Sequence, residues 1–255
     1  MRRSALIAAL SGALALPLAA LPAAPAQAAE SDVSFSNVVI KNGKSVVVGT
    51  SNEVEVPVSY TLTHKVKLDD QWVFLYRGTL ADEANVRATM FGPDCTTVSS
   101  TKKNCTERIL IEPKEDLTNA DAATWKAGGL AIKSSGGDDT DGIAVTTNLK
   151  RYAKLTANAT PEPVTAGGTV TVTGKLTRAN WNTHKYAGYG SQSVKLQFRA
   201  SGSDTWTTLK TVTSSSTGGL KATAKASASG AWRWSFAGTS TTGPATSAGD
   251  SVAVQ

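Results

Sequence analysis

The sequence predicts an all-β protein, and three observations carry that reading. Apolar and polar residues alternate with period two in segment after segment from Asp32 to the C-terminus. No stretch keeps a helical period for three turns. Turn chemistry punctuates the segments, as at Asn42-Gly43, Gly92-Pro93-Asp94 and Gly136-Gly137-Asp138.

In chain order the first strands fall at 46–48, 54–60, 72–76, 108–111, 124–132 and 143–149. Pro57 interrupts the second of these and marks a sheet edge or a bulge, because it has no N–H for a ladder. The later strands fall at 155–158, 169–176, 194–198, 206–212, 220–226, 231–236 and 251–254. In the third of these Val194, Leu196 and Phe198 face one way while Lys195, Gln197 and Arg199 face the other. Trp232, Trp234 and Phe236 likewise share one face, that of a core. Seven short strands in about a hundred residues is the arithmetic of an immunoglobulin-like sandwich, here without the Cys–Trp–Cys signature. The segment 150–154 has no Gly/Ser run, so the two halves join strand to strand. The expected organisation is two tandem immunoglobulin-like β-sandwiches, residues 29–152 and 153–255, following a cleaved signal peptide at 1–28.

That leader begins Met1-Arg2-Arg3, continues through an Ala/Leu run and ends Pro25-Ala26-Gln27-Ala28. A basic start, an apolar middle and a small-x-small end are the parts of a secretory signal. A membrane anchor is the competing reading, but Pro17 and Pro22 interrupt the run. No later segment approaches the roughly 20 apolar residues a span needs, and Asp250–Gln255 has no hydrophobic tail. The expectation is a secreted, extracellular protein without a transmembrane anchor.

Composition narrows the class further. A hydrophobic fraction of 40% supplies a core and excludes a disordered chain. The two cysteines, Cys95 and Cys105, flank a polar turn, and no histidine lies near enough to complete a metal site. In an oxidising exterior they are expected to form a disulfide. The formal charge of +6 is unevenly divided. Residues 29–155 hold fifteen basic and seventeen acidic side chains, whereas residues 156–255 hold nine basic and three acidic.

Several stretches carry a family likeness. The run from Gly174 to Tyr189, Ser193-Val-Lys-Leu-Gln-Phe-Arg199 and Trp232-Arg-Trp-Ser-Phe-Ala-Gly-Thr239 resemble one domain of small secreted actinobacterial (Streptomyces-type) proteins. The segments 54–60 and 67–70 resemble the first domain of the same proteins. The resemblance covers nearly the whole chain beyond the leader. It implies tandem immunoglobulin-like domains and, for members labelled "calcium-binding protein", calcium.

The residues able to carry chemistry are few. His64 and His184 stand one in each half, and neither a Gly-x-Ser-x-Gly nor a His-Glu-x-x-His motif is present. No catalytic residues are assigned, no cofactor is required, and no enzyme is expected. For calcium, Asp138, Asp139 and Asp141 form an acidic run that would be the F–G loop, with Asp69 and Asp70 in the B–C loop. Those loops share one end of an immunoglobulin-like sandwich, so five carboxylates could supply oxygen ligands. The same residues also make ordinary solvated turns.

In the second half Trp181, Tyr186 and Tyr189 fall in an expected B–C loop at 179–192. They either stack on sugar rings or fold over the sandwich end as a cap. Lys195, Arg199, Lys210 and Arg233 point away from the apolar positions as a basic stripe, suited to anionic polymers such as cell-wall polymers. A solvated sheet face is the plain alternative. No base-reading motif accompanies the stripe, so no specific nucleic-acid recognition is expected. The sequence thus points to a non-enzymatic extracellular binding or adhesion protein whose partner is a polymer or another protein. A calcium-binding structural protein using the acidic loops is the alternative.

Overall fold

The computed structural model describes residues 31–80, 86–87 and 92–255; the expected signal peptide lies outside them. The first sandwich packs two sheets. One is ordered β1 (Val33–Ile40), β3 (Val54–His64), β7 (Lys102–Ile111), β6 (Asp94–Ser99). The other is ordered β2 (Val46–Val48), β9 (Asp138–Arg151), β8 (Thr124–Lys133), β4 (Leu68–Tyr76), β5 (Val86–Arg87). All neighbours are antiparallel except β2, which runs parallel to β9. That is the A-B-E-D and G-F-C order of the immunoglobulin sandwich.

Strict alternation builds its core. Val56, Val58, Tyr60 and Leu62 of β3 point inward beside Cys105, Ile109 and Ile111 of β7. From the opposite sheet β8 offers Trp125, Ala127 and Ala131. The small residues there answer large ones across the gap. A Cβ on Gly129 would stand 2.4 Å from the Phe35 ring, so the glycine is what lets that ring lie against β8. Pro57 sits one residue before the β1 ladder begins at Val58, so the ladder needs no N–H from it on that side. Cys95 and Cys105 are register partners across the β6–β7 hairpin and form the expected disulfide.

The second sandwich repeats the plan. In one sheet β11 (Thr169–Asn180) pairs β10 (Ala153–Thr160) and β15 (Gly219–Lys225), and its far end pairs β12 (Lys185–Gly188). The other is ordered β14 (Thr207–Thr213), β13 (Ser193–Ala200), β16 (Gly230–Phe236). Both β17 (Ala245–Thr246) and β18 (Asp250–Val252) pair β16 on its outer side. Val170, Val172, Leu176, Val194, Leu196, Trp232, Trp234 and Phe236 fill the space between. Together the two halves are tandem immunoglobulin-like β-sandwiches, with only Tyr152 between β9 and β10.

Two placements differ from the sequence reading. The segment 179–192 is not a free loop, because β11 runs on to Asn180 and returns as β12. Asp69, Asp70, Asp138, Asp139 and Asp141 lie in strands rather than loops. The reason is that both connections are tight: three residues join β3 to β4 and four join β8 to β9, so the acidic residues are drawn into the ladders.

Candidate functional site

The outward face of β13 and β16 gathers the basic side chains. Register sets Lys195 opposite Ser235, Gln197 opposite Arg233 and Arg199 opposite Ala231, all on the side away from Val194, Leu196 and Trp232. Arg199 and Arg233 are diagonal neighbours. Against both lies Trp206, half-buried, from the turn joining β13 to β14. The Arg233 guanidinium carbon is 3.9 Å from the indole centroid and that of Arg199 is 4.9 Å away. Arg233 Nε also donates to Gln197 Oε1 at 2.8 Å. Partial burial, reinforced by the charge of Arg199, holds the Arg233 guanidinium below its ordinary pKa. Beside this cluster a concavity of about 340 Å³ is lined by Gln192, Lys195, Gln197, Ser235 and Thr239. Among the described residues none of Lys195, Arg199 and Arg233 forms an ion pair.

Lys210 is a correction to the stripe. It stands opposite Leu196 and shares its parity with Val212, which faces Val194. Its side chain leaves over the edge and Nζ donates to the Thr223 carbonyl on β15 in the other sheet. An inward-pointing cation on an edge strand is a common guard against edge-to-edge pairing.

The three aromatics assigned to sugar stacking go elsewhere. Trp181 is fully buried and belongs to the core of the first sandwich, so its ring cannot meet a ligand. Its Nε1 donates to the Gly49 carbonyl at 2.7 Å. Tyr186 packs against the same core, edge-on to Tyr152, with Lys154 Nζ 3.8 Å from its ring centroid. Tyr189 packs on the second core, against Phe236 and with the Arg178 guanidinium 3.9 Å from its ring. They are joint and cap residues because β11 and β12 fold them down onto the sandwich ends. Around them Asn119 Nδ2 donates to Asn180 Oδ1, and the Trp181 N–H donates to Asn119 Oδ1. The buried Arg151 donates through Nε to the Ala179 carbonyl, and burial pulls its pKa down to about 10.

The acidic residues of the first sandwich take partners singly. Ser134 Oγ donates to Asp69 Oδ1, and the Ser134 N–H donates to the Lys67 carbonyl, so the two connections do meet. Asp70 Oδ1 accepts from the Gln71 N–H, and Asp138 Oδ2 accepts from Thr140 Oγ1. Asp139 Oδ1 is 2.9 Å from Lys133 Nζ, a bond that raises the lysine pKa. Asp141 pairs with Gly129 in the β8–β9 ladder. Among the described residues no three His, Cys, Asp or Glu side chains are grouped as a metal site requires.

Two buried acids, Asp121 and Glu107, escaped the sequence reading. Glu107 of β7 is 6% exposed. Its Oε1 accepts from the Val73 N–H at 2.7 Å and its Oε2 from the Tyr60 hydroxyl at 3.2 Å. Burial outweighs both bonds and raises its pKa to about 7. Burial and the facing Glu107 raise that of Tyr60 as well. Alternation carried the signal, because Cys105, Glu107, Ile109 and Ile111 share one inward face.

The fold and this face define the chain as a disulfide-bonded tandem immunoglobulin-like protein with a cationic, aromatic outer sheet. No family model matches the chain, and no curated protein matches its sequence. Solved structures similar to it include the ectodomain of mouse nectin-like molecule 4, with 14% identity over 86% of this chain and 65% of that one, TM-score 0.27. The D00–D0 domain of intimin follows with 13% identity over 86% and 98%, TM-score 0.28. The Yersinia pseudotuberculosis adhesin InvE has 12% identity over 88% and 59%, TM-score 0.30. The chain thus spans about two thirds of the nectin-like ectodomain and less of InvE. The strand orders above, not these scores, carry the assignment of the fold. Among the described residues no helix is long and apolar enough to cross a membrane.

Proposed function

We propose that the protein is a non-enzymatic extracellular binding module that holds an anionic polymer on the outward face of β13 and β16. The observation that carries this is the meeting of Lys195, Arg199 and Arg233 on one sheet face with no carboxylate among the described residues paired to any of them. Two guanidinium groups beside one indole repel each other, and an incoming anion relieves that repulsion. The arginine fork suits carboxylate and phosphate oxygens in particular. The disulfide fits an oxidising exterior.

Retention on immobilised dextran sulfate across a salt gradient tests the reading. The wild type should elute at higher salt than a Lys195→Gln/Arg199→Gln/Arg233→Gln variant, and retention should fall as ionic strength rises. Equal elution of the two proteins, or indifference to salt, would overturn it.

A further inference from the structure

We infer that Trp206 and the concavity beside it form a glycan site, and that the polymer is an acidic polysaccharide. This rests on the anionic-polymer reading and narrows it. Trp206 belongs to neither core, yet it lies over the charged sheet rather than pointing away from it. Its Cη2 comes within 3.1 Å of where a Cβ would stand on Gly249, so the missing side chain makes room for the ring beside the last strand. A flat apolar ring with cations beside it suits the C–H face of a sugar that also carries an acid group.

The adjoining concavity completes the match. Gln192, Gln197, Ser235 and Thr239 offer amides and hydroxyls, and Lys195 adds one ammonium. Hydroxyl-rich ligands need such donors and acceptors in a concave site. Gln197 ties the two parts together, since it lines the concavity while accepting from Arg233. Lys195 and Arg199 are four residues apart on β13, about 13 Å along an extended strand. Cations so spaced, with an aromatic ring near one end, span more than a single sugar and suit a chain. A polyphosphate would use the cations and leave Trp206 and the amides idle. A neutral glycan would use Trp206 and leave the cations without a counter-charge.

Binding of the full chain to polygalacturonate, polyphosphate and neutral dextran at one ionic strength decides it, measured by calorimetry. Variants Trp206→Ala and Gly249→Val remove or displace the ring, and circular dichroism of each checks that the fold is kept. Polygalacturonate should bind more tightly than polyphosphate, and both variants should weaken it about tenfold while changing polyphosphate affinity less than about twofold. If polyphosphate binds at least as tightly, or both ring variants leave polygalacturonate unchanged, the glycan inference falls while the anionic-polymer reading stands. If dextran matches polygalacturonate and the triple cation variant binds as wild type does, both fall. Binding to none of the three overturns both as well.

Discussion

The second sandwich closes its core with its own residues, all of them between Ala153 and Val254. The first does not. Its core takes Ala179 from β11 and Trp181 from the turn just after it, with Tyr186 of β12 packed against it, although all three belong to its neighbour. The same strand order therefore yields one self-sufficient unit and one dependent unit. The dependent one also carries the disulfide and the buried Glu107. What differs is the end at which each sandwich must be closed. The first meets the second at the β9–β10 connection, and its apolar residues Val46 and Val48 lie on the strand beside that connection. The second presents its charged sheet face to solvent instead. Structural liability and the proposed binding surface are thus divided between the halves.

Removing the borrowed residue is the largest test of that asymmetry. Trp181→Ala in the full chain should cost about 3–5 kcal/mol, the usual loss for truncating a buried tryptophan. The loss should fall on the first sandwich. Hydrogen exchange should show amides of β3, β7 and β8 losing protection while β13 and β16 keep theirs. An equal loss in both halves would show that the second sandwich is no more independent than the first.

Protonation sharpens the comparison next. Glu107 titrates near 7 in the fold and near 4.5 when unfolded, so between those values the folded state binds more protons. Stability contributed by the neutral acid is then complete below about 4.5 and is lost as pH rises through about 7, at most about 3 kcal/mol. Glu107→Gln keeps an acceptor for the Val73 N–H and a donor for the Tyr60 oxygen. Its denaturation midpoint should therefore change less between pH 5 and pH 8 than that of the wild type. A wild-type midpoint that rises across that range would contradict the sign.

The disulfide is a comparable effect with a different signature. Cys95→Ala/Cys105→Ala should cost about 2–3 kcal/mol, since the closed loop is short. Urea titration of the pair against wild type reads the loss, and exchange should again confine it to the first sandwich.

How much of this was legible in the sequence follows from which interactions are local. Alternation alone put Lys195, Arg199 and Arg233 on the outward face, because parity within one strand decides it. The same parity would have placed Lys210 with Val212 and Glu107 with Ile109. The outward assignment of Lys210 follows its charge rather than this pattern, and Glu107 is assigned no place. Tight connections moved Asp69 and Asp138 into strands, since turn-forming residues mark a turn without fixing its length. Trp181 shares the parity of Thr173 and Lys175, which face away from the second core, and its hydrogen-bond partner Gly49 lies 132 residues away in the first sandwich, so nothing local names the core it joins. Trp206 was counted into a strand because it borders one, and only the three-dimensional approach of Arg199 and Arg233 reveals it.

The smallest effect probes the joint without touching either core. Asn119 precedes β8, and its side chain both donates to Asn180 Oδ1 and accepts from the Trp181 N–H. Asn119→Ala leaves that N–H and Asn180 Oδ1 without these bonds, though Asn180 Oδ1 still accepts from the N–H groups of Asn182 and Thr183. The net cost should be about 1–2 kcal/mol, dominated by the stranded Trp181 amide. Trp181 carries the apolar contact and Asn119 positions its backbone, so the two variants act through one residue and their effects should not add. A double variant no less stable than Trp181→Ala alone would place Asn119 in service of the tryptophan. Full additivity would instead make the polar clasp a tie between the sandwiches that acts independently of the tryptophan.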